Sequence, residues 1–156
     1  MNKLTVICVG RLKEKYLTEA VGEYAKRIGR FSRLELVEVK DEPTAAGAEA
    51  RVLEREGERI ISRIPAQSYV VALCVEGRQM SSTELAEKMR TLSLSGSGHM
   101  TVIIGGSLGL SEEVKKRAQL RLSFSRMTFP HQLMRVILLE QLYRALTINN
   151  NVKYHK

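Results

Sequence analysis

Short apolar runs alternate along the chain with longer stretches in which apolar residues recur every three or four positions. Residues 4–9 (LTVICV) are the first run, closed by Gly10. Leu17, Ala20, Val21, Tyr24 and Ile28 follow at helical spacing, with Glu19, Glu23, Lys26 and Arg27 on the opposite face and Gly29 as the stop. Leu34, Leu36, Val37 and Val39 predict a second strand, broken at Pro43. Residues 48–64 predict a helix whose apolar stripe is Leu53, Ile60, Ile61 and Ile64, ended by Pro65. Residues 69–75 (YVVALCV) are apolar almost throughout, as in a strand covered on both faces, and Glu76-Gly77 is read as a turn. Ser81 and Glu84 have the spacing of a capping box, and Leu85, Met89 and Leu92 carry the third helix to a loop at 93–98.

The fourth strand, residues 99–104, runs straight into glycines in the stretch TVIIGGSLGL. Ser111, Glu112 and Glu113 then read as a helix N-terminus, so the pattern is strand, glycine turn, helix. No Gly-Lys-Ser/Thr follows, so this is not a P-loop. The spacing G-G-x-x-G is not the dinucleotide fingerprint either. On spacing alone a structural turn and a ligand loop both remain open, although a strand end is where an α/β sheet usually holds its ligand. A short helix at 111–119, a fifth strand at 120–124, an extended loop at 125–130 and a last helix at 131–145 complete the chain, followed by a polar tail at 147–156. Strands alternating with helices predict an α/β fold with a mostly parallel sheet, in a single domain covering residues 1–156.

The last helix is apolar in nearly every direction: Leu133, Met134, Val136, Ile137, Leu138, Leu139, Leu142, Tyr143, Ala145 and Leu146. A helix of this kind must be buried all round, and in so small a protein that predicts packing against a second subunit. Arg135, Glu140, Gln141 and Arg144 are its polar exceptions, and Glu140 and Arg144 stand at i, i+4, the spacing of a structural ion pair. His131 follows Pro130 at the helix start, where capping or packing is the plain alternative to a chemical role. The tail closes on Tyr154, His155 and Lys156, a ring, an imidazole and an ammonium able to fold over a bound base.

The net charge of +8 favours a polyanionic partner, nucleic acid first. Arg11, Lys13, Lys15, Lys115, Lys116 and Arg117 are candidates for phosphate contacts, a solvated helix face being the alternative for each. Aromatic residues make up only 5% of the chain, with no Trp, which argues against a base-stacking platform. Two Cys and three His show no metal-ligand spacing, so no metal is expected, and Cys8 and Cys74 read as buried thiols. No apolar run approaches membrane-spanning length and residues 4–9 lack the shape of a signal peptide, so no membrane partner and a cytoplasmic location are expected.

Taken together, LTVICVGRLKE, YVVALCVEG, VIIGGSLGLS, LSFSRMTFPH, LLEQLYRAL and the final YHK, in this order and spacing, resemble the RlmH family of SPOUT-superfamily methyltransferases over the whole chain. The resemblance implies a single SPOUT-type domain with a C-terminal trefoil knot and a homodimer. It implies transfer of a methyl group from S-adenosylmethionine to N3 of a pseudouridine in 23S rRNA, on the assembled ribosome. By the same resemblance the cofactor lies against Leu73, Gly105, Gly106, Ser125, Arg126, Met127, Thr128, Phe129 and Pro130. The N3 proton must leave during transfer, and His155 is the leading candidate base, ahead of Glu140 and His131. Tyr154 would orient or stack on the target base, and Arg144 would hold a phosphate or charge developing on the imide oxygens. Rival readings are a basic RNA- or ribosome-binding module without catalysis, a flavodoxin-like nucleotide binder, and a knotted methyltransferase acting on tRNA.

Overall fold

The apolar run that opens the chain becomes an inner strand because both of its faces are covered. β1 (Lys3–Val9) lies between β2 (Arg33–Val39) and β4 (His99–Ile104) in a five-stranded sheet of order β2-β1-β4-β3-β5, and every named pairing is parallel. β3 is Tyr69–Gln79 and β5 is Leu120–Ser123. The structure, a computed structural model, describes residues 1–156. Along β1, Leu4, Val6 and Cys8 join the larger core, while Ile7 and Val9 join the smaller one on the other face. The larger core packs α1 (Lys15–Ile28), α3 (Ser82–Leu94) and α5 (His131–Asn149) against the sheet. The smaller core is closed by α2 (Glu49–Ile61) and α4 (Glu112–Arg117) through Ile60 and Val114. The mostly parallel α/β sheet read from the alternation is therefore present.

Local signals explain most element ends. Ser81 Oγ accepts the Glu84 N–H at 3.1 Å and Glu84 Oε2 accepts the Ser81 N–H at 2.6 Å, the reciprocal pair that the spacing of these residues predicts. Ser111 likewise caps α4 by accepting the Val114 N–H at 3.3 Å.

Four expectations need correction. The buried face of α2 is Val52, Glu56, Gly57 and Ile60, whereas Ile61 is exposed and Leu53 and Ile64 are half-buried. The helix is rotated from its apparent stripe because Gly57 allows the close approach of α4: a Cβ there would lie 2.5 Å from Ser111 Oγ. Glu76-Gly77 is not a turn, since β3 continues to Gln79. The 93–98 loop starts later, because Ser93 and Leu94 complete α3. The last helix runs four residues beyond Ala145, to Asn149, with Thr147 buried and its hydroxyl donating to the Arg144 carbonyl at 2.7 Å.

Candidate active site

The glycine turn, the C-terminal half of β3 and the segment after β5 enclose a cavity of about 700 Å³ at the C-terminal edge of the sheet. Each wall has a sequence cause. Gly105 and Gly109 meet back to back, so a Cβ on Gly105 would fall on the Gly109 carbonyl, and only Gly109 has a left-handed backbone, at φ +82°. Gly109 N–H donates to the Gly106 carbonyl at 3.1 Å, which closes the turn. The N–H groups of Ser107 and Leu108 bond to nothing within the chain.

The β3 wall comes from an irregularity. Leu73 pairs with Leu122, and the next partner of Leu122 is Arg78, so residues 74–77 loop out of the ladder. Cys74, Val75 and Glu76 line the cavity as a result. Gly77 is required there: a Cβ would stand 2.7 Å from the carbonyl carbons of Arg121 and Leu122. The third wall is the segment 123–130, pinned by Ser123 Oγ donating to the Ser125 carbonyl at 3.0 Å and by Ser125 Oγ accepting the Met127 N–H at 3.0 Å. Apolar side chains of Leu110, Leu122, Phe124, Phe129 and Met134 fill out the lining.

Of the cofactor residues read from the sequence, Leu73, Gly105, Gly106, Ser125, Met127, Thr128, Phe129 and Pro130 all line this one cavity. Arg126 is exposed and stands outside the wall. The β3 residues 74–76 were not read as site residues. The signal for them was Gly77 inside a strand-like run, which marks a bulge or a close backbone approach. His131 also lines the cavity, and burial followed by the nearby Arg135 charge holds its pKa below the ordinary value. Lys115 is not a free cation for phosphate, since it is paired with Glu76 across the mouth and lies 3.6 Å from Glu112.

The four residues assigned to chemistry gather at a second place. Arg144 donates to Glu140 Oε1 through Nε at 2.8 Å, and Tyr154 OH donates to Glu140 Oε2 at 2.8 Å. His155 Nδ1 lies 3.2 Å from Arg144 NH1, and the Arg144 guanidinium covers the Tyr154 ring at 4.7 Å. Guanidinium nitrogens only donate, so Nδ1 accepts and the neutral ring carries its proton on Nε2. Tyr154 packs edge-on against Tyr143 at 4.8 Å, and Arg27 of α1 lies over the Tyr24 and Tyr143 rings. Burial raises the Glu140 pKa, but the neighbouring Tyr24 phenol and the hydrogen bonds from Tyr154 and Arg144 outweigh it, and the net shift is downward. Tyr24 was read as a core residue of α1 and belongs to this cluster; burial, followed by Glu140, pushes its phenol up to about 12.

None of these four side chains lines the cavity of its own chain. Glu140 stands nine residues beyond His131, about 14 Å along α5 at 1.5 Å per residue. No group of three or more His, Cys, Asp or Glu side chains is placed to hold a metal ion, and no helix is long and apolar enough to cross a membrane.

A parallel α/β sheet whose strand ends frame a glycine-bent cavity is the architecture of a nucleotide-type ligand site. A family model described as "Predicted SPOUT methyltransferase" matches residues 2–155, and the chain belongs to this methyltransferase family. It is 53% identical over 158 residues to a ribosomal RNA large subunit methyltransferase H of Bifidobacterium adolescentis, covering 99% of both chains. It is 51% identical to a protein of the same name from Clostridium novyi, over 98% of this chain and 99% of the relative. Among solved structures, a probable methyltransferase from Bordetella pertussis Tohama I superposes with a TM-score of 0.55 at 16% identity, over 93% of this chain and 96% of that one. A probable methylase family protein from Haemophilus influenzae Rd KW20 gives 0.53 at 16% identity, over 99% and 70%. At such identities these two speak for the fold alone.

Proposed function

We propose that this protein is an S-adenosylmethionine-dependent methyltransferase of large-subunit ribosomal RNA that acts as a homodimer on N3 of a pseudouridine in 23S rRNA, within the assembled ribosome. The single observation carrying this reading is the cavity, in which a glycine turn, a looped-out strand segment and the 123–130 loop converge. Its volume of about 700 Å³ falls in the ~300–1,000 Å³ range of small-molecule sites. Its donor set also suits the cofactor: apolar side chains for a purine ring, unbonded main-chain N–H groups at Ser107 and Leu108, and a carboxylate at Glu76. When bound, S-adenosylmethionine supplies a methyl group already activated on sulfonium. The reading includes the C-terminal trefoil knot that the family resemblance implies.

The chain's own residues have three tasks. The turn and Leu73, Gly105, Gly106, Ser125, Met127, Thr128, Phe129 and Pro130 hold the cofactor and keep water out; such alignment is worth about 7–11 kcal/mol of barrier. Tyr154 and Arg144 hold the target ring and the charge on its imide oxygens. His155 takes the N3 proton, a step worth roughly 10²–10⁴-fold. For this the imidazole must leave Arg144, because Nδ1 is its free acceptor and Arg144 occupies it. Glu140 is a poorer base, since Arg144 and Tyr154 already donate to its charged form and hold its pKa down.

The separation of the two clusters along α5 supports the dimer in this reading. Leu133 is 38% exposed and Ile137 half-buried, an apolar face without cover in one chain. In this reading a second copy lies antiparallel on that face, with one chain's tail against the other's cavity. The deciding experiment incubates the protein with methyl-labelled cofactor and ribosomes lacking the modification, then maps the labelled nucleotide. Label on a 23S pseudouridine is expected. Cofactor binding without transfer to any RNA, or label on tRNA, overturns the assignment. His155→Ala is expected to abolish transfer while leaving cofactor affinity within about twofold of wild type.

A further inference from the structure

Glu56 sits on α2, behind the glycine turn and outside the cavity, and is only 5% exposed. Its two carboxylate oxygens are used unequally. Oε2 accepts the Glu42 N–H at 2.9 Å, which ties the segment after β2 to α2. Oε1 is buried without any partner. That oxygen points at the turn: a Cβ on Gly106 would lie 3.2 Å from it. The next residue, Gly57, presses on Ser111 at the far end of the same segment, so Glu56-Gly57 buttresses the turn at both ends. The turn has little else to fix it, with one internal main-chain hydrogen bond from Gly109 to Gly106 and unbonded N–H groups at Ser107 and Leu108. A buried carboxylate oxygen left unpaired destabilises a fold. Burial also raises the carboxyl pKa, and only the Glu42 N–H, among its largest influences, opposes this directly by hydrogen bonding.

We propose that Glu56 is a positioning residue for methyl transfer, its unpaired Oε1 being the acceptor for the main-chain N–H of Gly106 when the turn closes on S-adenosylmethionine. This rests on the reading of the cavity as the cofactor site. Glu56 touches neither cofactor nor substrate; it holds the turn that does. The carboxylate matters because both of its oxygens accept, whereas a carboxamide of the same shape offers only one acceptor.

The test is Glu56→Gln, with cofactor affinity by calorimetry, steady-state kinetics on ribosomes and thermal unfolding. A purely structural role predicts a change in unfolding temperature and unaltered kinetics. The positioning role predicts a KM and Kd for S-adenosylmethionine raised roughly tenfold, the worth of one hydrogen bond to a charged group. It also predicts kcat at saturating cofactor within about twofold and an unfolding temperature no lower than wild type. Wild-type affinity in the folded variant overturns the proposal. Should the variant not fold, hydrogen exchange on the wild-type protein decides: cofactor must slow exchange at Gly106, and unchanged exchange there overturns it. If the wild-type protein itself fails to bind S-adenosylmethionine, the cofactor reading falls; if it binds and Glu56→Gln binds equally, only the role of Glu56 falls.

Discussion

Tyr154 donates its phenolic hydrogen to Glu140 Oε2 at 2.8 Å, across fourteen residues of chain, and so folds the terminus back onto α5. The tail is ordered by a carboxylate that also holds Arg144. Tyr154→Phe keeps the ring against Tyr143 and removes only the hydrogen bond. A bond to a charged acceptor contributes about 1.5–3 kcal/mol when buried, and this half-buried one should sit near the lower end. Amide exchange in residues 150–156 should rise about tenfold and kcat should fall, with cofactor affinity unchanged.

The same contact gives the tail a pH dependence of known sign. The folded-state pKa of Glu140 lies below its unfolded value, so its contribution is fully present above the ordinary glutamate pKa of about 4.3 and is lost as pH falls through the lowered value. The tail should therefore remain docked at about pH 5 and release only in more acidic solution, as followed by the tyrosine ring resonances. In Glu140→Gln that acid transition should disappear.

Gly77 is a sharper test of the fold than the glycines of the turn. Alanine there would force a methyl group to 2.7 Å from two backbone carbons of β5, which cannot rotate away. A destabilisation of about 2–3 kcal/mol is expected in urea unfolding, with weakened cofactor binding because residues 74–76 shift with it. Gly22→Ala is the control. Nothing lies within 4 Å of a Cβ at Gly22, which is in the middle of α1, so that change should stabilise by roughly 0.5–1 kcal/mol.

Arg135 fastens the start of α5 to the sheet. It donates to Glu38 Oε2 at 2.6 Å and to the Val9 and Gly10 carbonyls at 3.1 and 2.7 Å. Arg135→Met fills the space but leaves both carbonyls unpaired. Removing one member of a buried pair costs about 3–5 kcal/mol. Glu38 is 42% exposed at its side chain and can return to water, so roughly 2–3 kcal/mol is expected from denaturant unfolding.

The two thiols should differ in reactivity. Burial pushes Cys8 up to about 11. Cys74 is raised too, by burial and then by Glu76, but it is half-buried in the cavity wall. Iodoacetamide at pH 8 should label Cys74 slowly and Cys8 only after unfolding. Saturating S-adenosylmethionine should protect Cys74; equal labelling with and without it would place the cofactor elsewhere.

Periodicity alone was enough to read the alternating fold and the glycine bend. Strands buried on both faces must be apolar in succession, helices must show a stripe, and caps and glycines mark the ends. The family resemblance then named the cavity walls in a chain whose glycine spacing was by itself ambiguous. What the residues did not disclose depends on contacts between elements distant in sequence. The α2 stripe was misread because Gly57 lets α4 approach and turns Glu56 inward, a rotation no local pattern encodes. β3 read as ending at Val75 because a looped-out segment and a turn share the same signal, Gly77. Tyr24 joined the Glu140 cluster only when α1 packed on α5. Sequence spacing records what a residue does to its neighbours along the chain, and tertiary packing alone decides which side chains share a cavity and which buried oxygen is left without a partner.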